Sequence, residues 1–180
     1  MGGRFEGPLR QSIHQLKYMA RPELAESLAR WLCWSLDFLP AESVSPSGDA
    51  RVPGGAAERP PCLVAVPLHR GRLVERGYNQ AGLLANTLGQ RLKLRVRHGW
   101  LERRRATAAQ AQLGAVERAE NIAGAFEARG SLLGQRVILV DDVATTGSTL
   151  RACAAALREA GARCAGALVV AVAEPRERRD

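Results

Sequence analysis

Apolar positions recur with two periods along this chain, and the period switches repeatedly from helical to strand-like. Leu9, Ile13 and Leu16 keep helical spacing within Pro8 to Tyr18, and Leu24, Leu28, Trp31, Leu32 and Leu36 keep it between Arg21 and Phe38. Pro22 reads as the first helical residue of that second stretch, because its fixed φ suits a helix start. Phe5 and Tyr18 read as further contacts of these helices with a core. Beyond Pro61 the pattern alternates. Leu63 to Val66 is a short apolar run ended by Pro67, hence a buried strand, and Gln80 to Leu92 predicts a helix. Leu94 and Val96 mark a short strand, and Ala115 to Ile122 hold one helical turn or two. Val137 to Val140 is a second buried strand, entered after Gly134. A helix from Ser148 to Ala160, stopped by Gly161, comes next, and Ala167 to Ala173 form a last strand within the apolar run that opens at Ala165. Strands alternating with helices predict an α/β fold with a parallel sheet flanked by helices.

The organisation that follows is an N-terminal helical segment, 1–40, packing on the core, then a flexible loop, 41–61. An α/β domain, 62–175, and a charged tail, 176–180, complete it. The loop is rich in Pro, Gly, Ser and Ala, and the forty residues before it are too few to fold alone. Composition narrows the class. With 46% hydrophobic and 4% aromatic residues, the chain is not disordered and its core is aliphatic. The longest apolar run, Ala165 to Ala173, suits a strand and not a bilayer span, and no signal core follows the first charges. A cytoplasmic protein without membrane insertion is expected. Cys33, Cys62, Cys153 and Cys164 form no CxxC pair, so free, partly buried thiols are expected, with no zinc site, no resident metal and no disulfide.

A net charge of +8 favours anionic partners. Much of it lies between Arg91 and Arg105, where Arg91, Lys93, Arg95, Arg97, Arg103, Arg104 and Arg105 meet one acid, Glu102. Such a run is either a solvated basic surface or an anion-binding one.

The chemistry concentrates after Val140. Asp141 and Asp142 stand at the carboxyl end of a buried strand, where parallel sheets bind ligands. Ala144, Thr145, Thr146, Gly147, Ser148 and Thr149 then open a helix. Backbone N–H groups, hydroxyls and the helix dipole suit a dianionic phosphate there, and Gly147 lets the backbone close around it. Carboxylates beside a phosphate need another part of the ligand, and two neighbouring ribose hydroxyls fit. Phosphate and diol together describe a ribose 5-phosphate.

This string resembles the phosphoribosyl-diphosphate (PRPP) signature of the type I phosphoribosyltransferases. The resemblance implies that Asp141 and Asp142 bind the ribose hydroxyls, that Ala144 to Thr149 wrap the 5-phosphate, and that a magnesium ion arrives carried by PRPP. A second segment, Pro67 to Gln80, also follows a strand and offers Arg70, Arg72 and Arg76 with Gly71 and Gly77. Arginines there suit the oxyanions of a departing diphosphate. Val66 to His69, then Arg76 to Gln80, resemble the narrower competence protein F (ComF) family. A third block matches it as well: Arg105, Ala106, Thr107, Gln110, Leu113, Arg118, Asn121, Ala125 and Phe126. The early Ile13, Lys17 and Tyr18 fit the same family.

That resemblance implies a type I phosphoribosyltransferase-like fold and a mobile loop from Arg104 to Leu113 that closes over PRPP and excludes water. Arg105 and Arg76 are the candidate catalytic residues; Leu68, His69, Arg70, Arg76 and Gln110 are the candidates for the diphosphate. His69 serves either as a proton shuttle or as a support for the backbone, and Arg118 and Asn121 are either functional or structural. Members of the family usually begin with a four-cysteine zinc-binding segment, and these 180 residues contain none. The expected activity is phosphoribosyl transfer from PRPP to an unknown base, linked to DNA uptake. The alternative is a non-catalytic PRPP sensor or a module that handles single-stranded DNA with the competence machinery. Trp100 is the one aromatic in the basic run, where single-strand binders normally stack several. A homodimer is left open.

Overall fold

The computed structural model describes residues 3–37, 60–105, 122 and 124–173. In chain order its elements are β1 (Gly3–Arg4), α1 (Gly7–Tyr18), α2 (Leu24–Asp37), β2 (Cys62–Ala65), α3 (Arg70–Arg76), α4 (Gln80–Leu92), β3 (Leu101–Arg103), β4 (Phe126–Ala128), β5 (Arg136–Ala144), α5 (Ser148–Glu159) and β6 (Arg163–Val172). A parallel sheet in the order β1-β6-β5-β2 forms the centre, and β3 and β4 pair antiparallel beside it.

Side chains of one strand alternate between the two faces of a sheet, and this alternation sorts the core. Val64, Val66, Val137 and Leu139 turn to one face, where α5 contributes Cys153, Ala156 and Leu157 and the hairpin contributes Leu101 and Phe126. Leu63 and Val140 turn to the other, against Ile13 and Leu16 of α1, Leu28 and Leu32 of α2, and Leu84 and Leu88 of α4. The N-terminal helices thus cover the sheet beside α4. Tyr78 ties them down by donating its hydroxyl hydrogen to the Leu16 carbonyl. Gly89 is required where α4 crosses residues 94–96. A Cβ there would stand 2.5 Å from Val96 Cγ2 and 2.9 Å from the Leu94 carbonyl oxygen.

The sheet is parallel and covered on both faces, as the sequence predicts, but several elements differ. Residues 21–23 turn before α2 begins at Leu24, with Leu24 N–H donating to the Arg21 carbonyl and Ala25 N–H to the Pro22 carbonyl. Pro22 is therefore in the turn and not in the helix. Residues 70–76, to which the sequence pattern assigns no element, form α3: the His69 side chain caps it by accepting from Gly71 N–H at 3.2 Å, and Gly77 ends it at φ +80°. Leu94 and Val96 reach the sheet only through a parallel bridge from Val96 to Leu63. β5 runs past Val140 and carries both acids inside the strand, because its ladder to β6 continues through Asp141, Val143 and Ala144. β6 begins at Arg163, and Ala165 to Ala167 are exposed and not buried as an apolar run suggests. Tyr18, expected in the core, is 61% exposed. The four cysteines are free, with Cys62 and Cys153 buried. The loop 41–59, the tail 176–180, and Ala115, Arg118, Asn121 and Gln110 lie outside the described residues.

Candidate functional site

Because β2 and β5 are parallel neighbours, the segments that leave their carboxyl ends open at the same edge of the sheet. Alternation then decides what each acid meets. Asp142 faces the helical layer of α1, and Lys17 Nζ lies 2.8 Å from its Oδ2, with the Asp142 side chain 3% exposed and that of Lys17 21%. Asp141 faces the opposite layer, within electrostatic reach of Arg103 on β3 and Cys153 on α5. Each carboxylate also secures its own backbone. Asp142 N–H donates to Asp141 Oδ1 at 2.9 Å, and Val143 N–H donates to Asp142 Oδ1 at 2.8 Å.

Burial, then repulsion from Asp142, raises the Asp141 pKa well above the ordinary carboxylate value, while Lys17 pulls it back. Burial and the nearby Arg72 charge lower the Arg103 pKa. Two buried carboxylates therefore confront Lys17, Arg72 and Arg103 around a cavity of about 180 Å³, which Pro67, Leu68, Gln80 and Thr149 also line. Acids in strained proximity with cations opposite form a site ready to exchange internal pairs for ligand hydroxyls and oxyanions.

The loop after β5 supplies the second half. Gly147 adopts φ +73°, ψ +6° and caps α5 with no side chain of its own, and the Ser148 N–H at the helix start donates to Thr146 Oγ1 at 3.4 Å. Its first N–H groups point toward the loop with the helix dipole behind them. Thr146 Oγ1 lies 3.0 Å from Ser148 Oγ, which fixes the two hydroxyls relative to one another. A cavity of about 190 Å³ follows this loop, lined by Asp141, Val143, Ala144, Thr145, Gly147, Ser148 and Thr149, with Lys17 at its border.

The structure thus brings together Asp141, Asp142, Leu68 and the residues from Ala144 to Thr149 apart from Thr146, which supports the loop through Ser148. Other residues predicted from sequence fall elsewhere. His69 caps α3, the backbone-supporting role. Arg70 is exposed at the start of that helix. Arg76 donates to Gln80 Oε1 and stacks on Tyr18 at 5.2 Å, lining a neighbouring cavity. Arg105 is exposed at the edge of the described segment, and Gln110 lies beyond it.

Sequence reasoning counted Arg72 among the arginines suited to a diphosphate and Lys17 only as a family match, and it passed over Arg103 as a site residue. Arg72 and Arg103 carried a readable signal, since both lie in segments already suspected of facing anions. Lys17 carried a signal only through the family resemblance, because the packing of α1 on the sheet is what brings it to Asp142. The basic run 91–105 is divided by the structure. Arg104 pairs with Glu127 at 2.7 Å, Arg97 stacks on Trp100 at 5.3 Å, and only Arg103 enters the carboxylate cavity.

A parallel sheet with paired acids at a strand end and a phosphate-type loop opening a helix defines a phosphoribosyltransferase-like domain. Comparison with known proteins agrees: the phosphoribosyl transferase domain family matches residues 76–180. The DNA utilization proteins YhgH of Escherichia coli (strain K12) and Salmonella typhi are 36% and 35% identical over 155 residues, 86% of this chain and 63% of theirs. Competence protein F of Haemophilus influenzae is 38% identical over 105 residues, 57% of this chain and 46% of its own. The chain belongs to the phosphoribosyl transferase domain family and, within it, to the ComF-like group. It spans less than two thirds of the length of these relatives.

Proposed function

We propose that this protein binds PRPP and transfers its 5-phosphoribosyl group to a nitrogen base. The observation that carries the reading is the juxtaposition, at one sheet edge, of the N-terminus of α5 with two buried carboxylates facing three cations. The N–H groups and hydroxyls from Thr145 to Thr149 hold the 5-phosphate, and Asp141 and Asp142 accept hydrogen bonds from the ribose hydroxyls. Lys17, Arg72 and Arg103, with Leu68 beyond the end of β2, receive the diphosphate, and Arg105 and Gln110 are further candidates for it. A ring nitrogen then forms a bond to the anomeric carbon as the bond from that carbon to the diphosphate oxygen breaks. The electron pair leaves on diphosphate. The side chains act by position and charge and supply no nucleophile.

Among the described residues no group of three or more His, Cys, Asp and Glu stands together. A magnesium ion would be held by the diphosphate itself, with Asp141 and Asp142 the carboxylates lining the same cavity, and would neutralise leaving-group charge. No helix among the described residues is long and apolar enough to cross a membrane. A cytoplasmic location belongs to the proposal and rests on the sequence reading alone.

The names of the relatives speak of DNA utilization and competence, and we extend to this chain a role in using DNA taken up by the cell. The alternative, a module that handles single-stranded DNA, would rest on Arg91, Lys93 and Arg95, exposed basic residues that the carboxylate cavity does not use. Calorimetric titration of PRPP with magnesium tests the main reading. Saturable binding by the wild type, abolished in Asp141→Asn/Asp142→Asn, is expected. An unchanged affinity in the double variant overturns it.

A further inference from the structure

A further cavity, of about 170 Å³, opens at the side of β2 where Val96 bridges to Leu63. Pro67 is the one residue it shares with the carboxylate cavity. Val64, Pro67 and Leu101 give it apolar walls, and Asn79, Gly82, Arg97, His98 and Gly99 line the polar side. None of the described residues that line it is an acid. Its charge is therefore that of Arg97, set against a wall of low polarity that strengthens any ionic contact made there.

The donors in this cavity are only partly spent. Arg97 has a fixed backbone, since its N–H donates to the Leu63 carbonyl at 2.9 Å, and its guanidinium lies 5.3 Å from the centre of the Trp100 ring. Among the described residues no acid forms an ion pair with it. Its Nε is buried, and no group accepts the N–H there. A buried donor without an acceptor is a standing cost, which an oxyanion meeting the guanidinium relieves. Arg104 shows the contrast: it spends its Nε on Glu127 at 2.7 Å.

α4 contributes from the other side. Asn79 caps this helix of 13 residues, with its Oδ1 accepting from Ala81 N–H at 3.1 Å. Leu83 N–H closes on the Asn79 carbonyl at 3.1 Å. Between them the Gly82 N–H remains, in a first turn that carries the positive end of the helix dipole. Gly82 has no side chain to fill the space in front of that turn, and Gly99, at φ +77°, has none either. The His98 ring is exposed beside them and offers a third donor.

We infer that this cavity is a second oxyanion site, separate from the loop that opens α5, and that it takes a phosphate or a small phosphomonoester. A guanidinium, a helix N-terminus and an imidazole approach from different directions, which suits the tetrahedral oxygens of phosphate better than a planar carboxylate. The room is enough for a phosphate group and too little for a nucleotide base beside it. The inference is independent of the PRPP reading, because the two sites share no donor.

The test follows backbone amide resonances of the full chain during titration with inorganic phosphate and, separately, glycerol 3-phosphate. Saturable shifts are expected at Gly82, His98 and Gly99 with at least one of them, and the tighter of the two identifies the source. Arg97→Met keeps an apolar stem on Trp100 and should weaken these shifts by about tenfold or more, as loss of a charge-assisted bond does. Gly82→Asp puts an acid into the cavity at a helix start that tolerates one, where a Cβ meets nothing nearer than Asn79 side-chain atoms at 3.6 Å. It should abolish the shifts as well. Shifts from Thr145 to Thr149, which report phosphate at the other loop, should persist in both variants. Absence of saturable shifts at Gly82, His98 and Gly99 in the wild type overturns the assignment, as do unchanged shifts in either folded variant. An oligothymidylate without a terminal phosphate that binds these amides more tightly than both small anions also overturns it, in favour of a nucleic-acid backbone.

Discussion

Replacing Asp141 by Asn should make the protein more stable while abolishing its ligand binding. The carboxylate is buried, and it lies next to Asp142; burial first and that neighbour second raise its pKa well above the ordinary 3.8. The folded protein therefore holds the proton more tightly than the unfolded chain does. Below the unfolded value the group is protonated in both states and contributes nothing. As pH rises from there toward the raised folded value, the unfolded chain ionises first and the native state loses stability. Above the folded value the full penalty is in place. Asn keeps the short-range geometry, since its carbonyl oxygen still accepts from Asp142 N–H, now at 2.9 Å to Asp141 Oδ1. It removes the charge that burial and Asp142 oppose, at the expense of attraction to Lys17 and Arg103. The net gain at neutral pH should be about 1–2 kcal/mol, the range found when a functional site is relieved of strain. For a chain of this size that is roughly 2–8 °C in Tm. Thermal unfolding of both proteins from acid to neutral pH checks it, and the advantage of the variant should grow with pH above about 4. A variant less stable than wild type at neutral pH, or a difference independent of pH, would refute the reasoning.

Three further substitutions probe the rest of the account. Lys17→Met leaves Asp142 buried without its partner and should cost about 2 kcal/mol, less than a fully buried pair because Lys17 reaches water; combined with Asp142→Asn in a denaturant double-mutant cycle, the pair should show a coupling of about 1–3 kcal/mol. Gly147→Ala forces a Cβ into a backbone at φ +73° and toward Arg151 Nη1 at 3.2 Å. It should lose about 1–2 kcal/mol of stability and weaken PRPP in calorimetry by about tenfold, since the loop reshapes. Gly89→Ala drives a methyl into Val96 and the Leu94 carbonyl, far from the ligand. Urea unfolding should show a loss of about 1–3 kcal/mol, with PRPP affinity unchanged in the folded fraction.

The candidate site was legible in sequence where its parts are contiguous. Asp141, Asp142 and the residues from Ala144 to Thr149 sit on one strand, one turn and one helix start, so local pattern alone implied phosphate and diol. Periodicity likewise gave α1, α4 and α5 nearly to the residue, because each buries one stripe of Leu, Ile or Ala. What pattern missed depends on packing between distant segments. Lys17 reads as an ordinary surface position of an amphipathic helix until α1 is laid on the sheet. The hairpin β3–β4 escaped because its strands have three residues each and are separated by 22 positions, too short for a period to show. α3 was hidden by its composition, since Arg70, Gly71 and Arg72 carry no apolar stripe and its caps are a histidine and a glycine. Tyr18 was misread because it follows the buried Ile13 and Leu16 on the same helix, and only the end of α1 at Tyr18 leaves it facing the cavity that Arg76 also lines.

The central claim, that the loop opening α5 binds the 5-phosphate while the acids hold the ribose, is tested most directly by following backbone amide resonances during titration with PRPP and magnesium. The account predicts that the largest shifts fall on the amides from Thr145 to Thr149 and on Asp141 to Val143, with Lys17 Nζ losing its contact to Asp142. Shifts centred elsewhere, or none at saturating PRPP, would contradict it.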